Sequence, residues 1–165
     1  MIMRIGQGYD IHPLAPGRPL WLGGIHVPHD QGLLGDSDAD VLLHATMDAI
    51  LGAAGLGDLG CYFARDHVPP GYSSAKMMAE VMLRVSAAGF GVGNCDATVI
   101  AEKPALSPYR DAMQAMLRDL LGTSAVTVKF KTADGVGAIG NEKAMAALAS
   151  VLLMDGDQSE LRADK

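Results

Sequence analysis

GLLGDSDADVLLHATMDAILGAAGLGDLG, residues 32–60, is the stretch on which the reading of the whole chain turns. Its first residues form a loop and the remainder carries a helix. Ser37 is a good N-cap, and Asp40, three residues on, can reach back as a shortened capping-box acid. Val41, Leu42, Ala45, Ala49 and Leu51 supply an apolar stripe, and Gly55 or Gly57 stops the helix. Upstream, residues 3–13 (MRIGQGYDIHP) alternate loosely and predict a strand ending at Pro13. Residues 14–18 turn, and 19–28 (PLWLGGIHVP) predict two short strands broken at Gly23-Gly24. Downstream, 58–72 is loop, and Ser73 or Ser74 opens a second helix reaching about Ala88. A strand follows near 94–101 (NCDATVIA), then a third helix over about 108–121, then a well-alternating strand at 125–132 (AVTVKFKT). A Gly-rich loop, 134–140, leads into a last helix expected over about 141–154.

This order predicts a single-domain α/β sandwich over residues 1–154, a mixed four-stranded-type sheet with helices on one face. The polar tail 155–165 (DGDQSELRADK) is expected to fray. Val126 and Val128 fall on one face of their strand and Thr127, Lys129 and Lys131 on the other. The second sheet face is left to be covered, so self-association through sheets or edges is expected.

The chain has 165 residues, 49% of them hydrophobic, which suits one sizeable core. A net charge of -6 argues against nonspecific nucleic-acid binding. No apolar run reaches the roughly 18 residues needed to cross a membrane, and MIMRIGQGYD carries no signal-peptide pattern. Two lone cysteines, Cys61 and Cys95, make no disulfide framework, so a reducing cytoplasm is expected. The acids are lopsided: 15 Asp against 4 Glu, with no Glu before Glu80. The first 66 residues hold eight Asp, four of the five His and 11 of the 20 Gly. Asp suits caps, turns and oxygen-ligand sites, so the front of the chain reads as a site.

Asp10 and His12 sit two apart on a strand and share a face. His44 lies on the helix one turn after Asp40 and one turn before Asp48. Asp10, His12 and His44 make a competent zinc set with a fourth position open for water or a phosphate oxygen, the pattern of a catalytic site. Asp40 or Asp48 is expected to orient His44. Taken alone, these spacings equally suit solvated strand and helix faces.

The stretches RIGQGYDIHPL, GRPLWLGGIHVP, residues 32–60 and TVIAEKP resemble the 2-C-methyl-D-erythritol 2,4-cyclodiphosphate synthase family, over about residues 3–153. The resemblance implies a homotrimer with active sites between subunits. It implies the substrate 4-diphosphocytidyl-2-C-methyl-D-erythritol 2-phosphate, whose 2-phosphate attacks the β-phosphorus and releases CMP. By the same resemblance Asp10, His12 and His44 hold zinc, and Asp134, where the family usually has Glu, holds magnesium or manganese. Asp58, Leu59 and Gly60 contact the methylerythritol part, Thr132 lies near the diphosphate, and Ala101, Pro104 and Leu106 form the cytosine pocket. Ser37 remains as a phosphate donor. The reaction asks mostly for positioning and charge neutralisation.

Several positions depart from the family pattern. Asp36 stands where the family has a His beside the reacting phosphates. It replaces a donor by a negative charge, and two unit charges 4 Å apart at an effective dielectric of 20 repel by about 4 kcal/mol. The family's F-P-D-T-D-P loop reads Phe63-Ala64-Arg65-Asp66-His67-Val68, in which Asp66 replaces the last loop acid and Arg65 can bring phosphate-binding charge. Ala105 replaces the basic residue after the pocket proline, and Asn141 and Ala138 replace an Arg and an aromatic of the trimer's central cavity. The cyclase is the expected function. A relative with an altered substrate, or a zinc-binding trimer with little catalysis, are the alternatives.

Overall fold

The computed structural model describes residues 2–64 and 68–155. In chain order the elements are β1 (Met3–Pro16), β2 (Leu20–Leu22), β3 (Ile25–Val27), β4 (Gln31–Leu33) and α1 (Val41–Ala54). Then come α2 (Ser74–Ala87), β5 (Phe90–Ile100), α3 (Arg110–Leu121), β6 (Val126–Lys131), α4 (Gly137–Gly140) and β7 (Ala144–Asp155). The five-stranded sheet runs β4-β1-β7-β5-β6. Only β5 and β6 pair in parallel, while β7 lies antiparallel between β1 and β5. Helices α1, α2 and α3 pack on one face of this sheet. The β2–β3 pair turns at Gly23-Gly24, both with positive φ, as the broken 19–28 stretch predicts.

The expected last helix over 141–154 is instead β7, which adds the fifth strand to the sheet. Ala, Leu and Met favour a helix when no neighbour intervenes. Here the segment has strands on both sides, and Met145, Ala147, Ala149, Val151 and Leu153 alternate into the core. The small alanines leave room for α1, which crosses β7 and β1. Asp155, assigned to the tail, ends this strand. The rest of the tail, residues 156–165, lies outside the described residues.

Helix α1 is the centre of the molecule. Twelve of its fourteen residues are buried, so it is held by packing all round rather than by one stripe. Its fully buried Leu42, Leu43, Met47, Ile50 and Leu51 are each worth about 1.5–3 kcal/mol of burial. Asp40, not Ser37, is the N-cap, its side chain accepting from the backbone of Leu42 and Leu43. Gly55 ends the helix in the left-handed region, with Leu56 N–H returning to the Leu51 carbonyl at 2.9 Å.

The contact of β1 with α1 is made backbone to backbone. A side-chain carbon on Gly6 would lie 1.8 Å from the Ala49 carbonyl oxygen, and one on Gly8 1.9 Å from that of Ala45. Only glycine allows this approach. Strand period then carries the same inward face from Gly6 and Gly8 to Asp10 and His12, directly beside His44.

The opposite sheet face presents Ile5, Tyr9, Ile11 and Leu148 to the outside, with Tyr9 across from Leu148 and Ile11 across from Ala146. This is the uncovered face anticipated from the sequence.

Candidate functional site

Asp10, His12 and His44 converge as their spacing predicts. Asp10 Oδ2 lies 2.9 Å from His12 Nε2 and 3.1 Å from His44 Nδ1, and the two ring nitrogens are 3.2 Å apart. Each histidine's other nitrogen is already committed. His12 Nδ1 lies 2.9 Å from the Leu34 carbonyl, which only accepts, so that nitrogen carries the proton. Ser74 Oγ donates to Asp38 Oδ1 and lies 2.9 Å from His44 Nε2, so it accepts the His44 proton. The inner nitrogens are therefore lone pairs facing a carboxylate oxygen. Three acceptors this close repel unless a cation lies among them. The trio is the candidate metal-ligand set among the described residues.

Without a cation among them, protons take its place between the three groups. Burial works to raise the Asp10 pKa, but hydrogen bonds and charge from His12 and His44 hold it well below the ordinary carboxylate range. Burial likewise opposes a charged His12, and the Asp10 carboxylate overcomes this and raises its pKa.

The expected orienting role of Asp40 and Asp48 is not what the geometry shows. Asp40 is wholly buried and accepts four backbone N–H groups, from Leu42 and Leu43 in α1 and from Gly23 and Gly24 in the hairpin turn. Asp48 Oδ1 accepts the Leu59 N–H at 2.8 Å, and so holds the 58–61 turn. His44 is oriented by Ser74 and Asp38, with Ser37 Oγ 3.3 Å away. Asp38 also accepts the Ser74 N–H at 2.8 Å, which caps α2 from a remote loop. These two residues escape a sequence reading because they are 36 positions apart. A serine at the mouth of a helix looks only like a cap.

Around the trio lies a cavity of about 230 Å³ whose wall includes Gly35, Asp36, Ser37, Leu59 and Phe63. Arg18 holds the loop behind it, donating to the carbonyls of Leu33, Gly35 and Ser37. Asp58 caps the short turn at 59–61, accepting the Cys61 N–H at 3.0 Å, and Gly60 sits within that turn. Asp66, with Arg65 and His67, lies outside the described residues.

The remaining predicted residues form a separate group. Ala101, Pro104, Leu106 and Thr132 line a second cavity of about 410 Å³ at the carboxyl ends of β5 and β6. Thr132 Oγ1 donates to Asp134 Oδ1 at 2.8 Å, and Asp134 itself sits at φ 50°. Strand β7 lies between β1, which carries Asp10 and His12, and β5, and the two cavities share no lining residue.

Comparison with known proteins follows the same lines. Residues 3–154 match the model of the YgbB family. The chain is 49% identical over 157 residues to a 2-C-methyl-D-erythritol 2,4-cyclodiphosphate synthase of Cupriavidus pinatubonensis, covering 93% of each chain. A bifunctional IspDF from Campylobacter jejuni matches with TM-score 0.90 and 36% identity over 94% of this chain, which spans 43% of that longer protein. IspF of Plasmodium falciparum, in a CDP complex, matches with TM-score 0.82 and 33% identity, covering 94% of this chain and 97% of the other.

Proposed function

The chain belongs to the YgbB family, that of the 2-C-methyl-D-erythritol 2,4-cyclodiphosphate synthases, and on that premise we propose that it catalyses this cyclisation as a phosphorus–oxygen lyase of non-mevalonate isoprenoid biosynthesis. The substrate is 4-diphosphocytidyl-2-C-methyl-D-erythritol 2-phosphate. An oxygen of its 2-phosphate bonds to the β-phosphorus, the bond from that phosphorus to the bridging oxygen breaks, and CMP leaves.

The observation that carries the reading is the convergence of Asp10, His12 and His44. Their separations of 2.9–3.2 Å are close to the roughly 3.3 Å edge of a tetrahedron with about 2.0 Å bonds. Two imidazoles and one carboxylate, with a position open toward a cavity, suit zinc. When bound, zinc supplies Lewis acidity toward a phosphate oxygen. Ser37 reaches the same cavity and donates to phosphate, and the 58–60 turn receives the methylerythritol hydroxyls through Asp58. Phe63 gives the cavity an apolar wall, and Asp66 belongs to the same loop. In the second cavity Ala101, Pro104 and Leu106 surround the cytosine, and Thr132 contacts the diphosphate. Asp134, a hard oxygen donor, holds magnesium or manganese there.

One substrate must reach both groups, which line two separate cavities of the chain. A homotrimer solves this by setting the trio of one subunit against the nucleotide cavity of the next, with the apolar face of Ile5, Tyr9, Ile11 and Leu148 buried in assembly. We place the enzyme in the cytoplasm on the strength of its unpaired cysteines.

One assay tests the reading: the purified protein, loaded with zinc and supplied with magnesium or manganese, is given the family substrate and CMP release is followed. Release supports it, and none from metal-loaded trimer overturns it. Asp36, in the wall beside His12 and His44, favours a second reading, a relative acting on another nucleotide diphosphate. Turnover of such a compound without CMP release from the family substrate selects that one.

A further inference from the structure

We infer that Lys131 is a phosphate-binding residue of the second cavity, making it select a nucleoside diphosphate over the bare nucleoside. The inference rests on reading that cavity as the nucleotide subsite. It starts from the charges around the cavity and which of them are already engaged. Among the described residues, the cations on its wall are Lys103 and Lys131. Lys103 Nζ lies 2.8 Å from Glu142 Oε1 and is held at the rim by that pair. Two further cations flank the β6 edge. Lys129 Nζ is 2.7 Å from Asp96 Oδ2, and the Arg110 guanidinium lies over the Phe130 ring at 5.2 Å. Lys131 has no ion-pair partner among the described residues, and its side chain is exposed.

Its place in the fold gives that charge a direction. Lys131 is the last residue of β6, paired with Ile100 at the end of β5. Ligands of parallel strand pairs collect outside their carboxyl ends. The alternation of β6 puts Lys131 on the same side as Thr127 and Lys129, the open sheet face, while the cavity begins at its own position. Lys131 therefore brings its charge to the place where the cavity wall meets the open face, one residue before Thr132 on the same wall. The inner wall, with Ala101, Pro104 and Leu106, offers apolar surface and backbone groups suited to a base. Base inside and cation at the mouth is the layout of a nucleotide site whose phosphates point outward. Glu102 Oε2 accepts the Ala133 N–H at 3.2 Å, which fixes the turn leaving Lys131.

Calorimetric titration of CDP and of cytidine, at fixed magnesium, tests this on the full-length protein. Lys131→Gln is expected to weaken CDP about tenfold or more and to leave cytidine within about twofold, since a charge-assisted contact is lost only with the diphosphate. Lys131→Arg is expected to keep most of the CDP affinity. Lys129→Gln, an equal change of charge two residues away, is expected to stay within about twofold for both. CDP affinity unchanged in Lys131→Gln, or equal losses for CDP and cytidine, overturns the inference. Wild-type protein that binds neither ligand overturns the nucleotide reading of the cavity, and this inference with it.

Discussion

Ser74 Oγ stands 2.9 Å from His44 Nε2 and donates its own hydrogen bond to Asp38, so a serine at the start of α2 decides which nitrogen of His44 faces Asp10. Removing it frees the imidazole to change tautomer and rotate. Ser74→Ala is expected to lower zinc affinity by about ten- to a hundredfold, measured by competition with a chelator. Ser74→Thr, which keeps the hydroxyl, is expected to recover most of it. Equal affinities in wild type and Ser74→Ala would refute the orienting role.

His44→Ala removes one of the three candidate ligands outright. Bound zinc per chain, read by elemental analysis after dialysis, is expected to fall from near one to near zero. Zinc content unchanged by the substitution would rule out the ligand set.

Gly8 faces the Ala45 carbonyl so closely that no side chain fits without parting β1 from α1. Gly8→Val is expected to cost about 3 kcal/mol or more, a fall in Tm of roughly 6–12 °C for a chain of this size. The loss of zinc binding is expected to exceed that of a comparable change on the exposed sheet face, because the same separation carries Asp10 and His12 away from His44.

Asp36 brings a carboxylate to the wall of the cavity that we propose receives the phosphates. Asp36→His is expected to raise the rate of CMP release by about tenfold or more, since one repulsion is removed and a donor added. A fall in rate would show that Asp36 has its own part in turnover.

The two cysteines are expected to differ sharply toward a thiol reagent. Burial pushes the Cys95 pKa up to about 12, with the neighbouring Asp96 charge adding to it and a Thr46 hydrogen bond opposing it. At pH 8 only about one in ten thousand Cys95 thiols is then ionised, and the thiolate is the reactive form. Cys61 is exposed. One thiol per chain is expected to react rapidly in the native protein and two in denaturant. Two rapid thiols in the native state would contradict the burial of Cys95.

Much of this was legible beforehand because it is written at short range. The D-x-H pair shares a strand face by period alone, and Gly23-Gly24 marks its turn wherever the chain goes. The helix over 41–54 announces itself by its stripe and its closing glycine. What failed depends on partners far away in sequence. Residues 144–155 have helix-forming composition and become a strand because β1 and β5 stand on either side. Ser37 looked like the cap because it is a serine in the right place, but Asp40 reaches the Leu42 and Leu43 N–H groups and also those of Gly23 and Gly24. The Ser74–Asp38 support of His44 needs a loop and the start of α2 brought together before it exists at all.

The four-donor grip of Asp40 has a consequence for how the sequence is free to drift. An asparagine there would keep one oxygen for Gly23, Leu42 and Leu43 and turn its amide toward the Gly24 N–H, which only donates. A glutamate would carry the carboxylate a methylene too far. The hairpin turn and the helix that bears His44 are thus tied through a position where even the smallest replacements cost a contact. Variation around the centre must be sought in the loops beyond it.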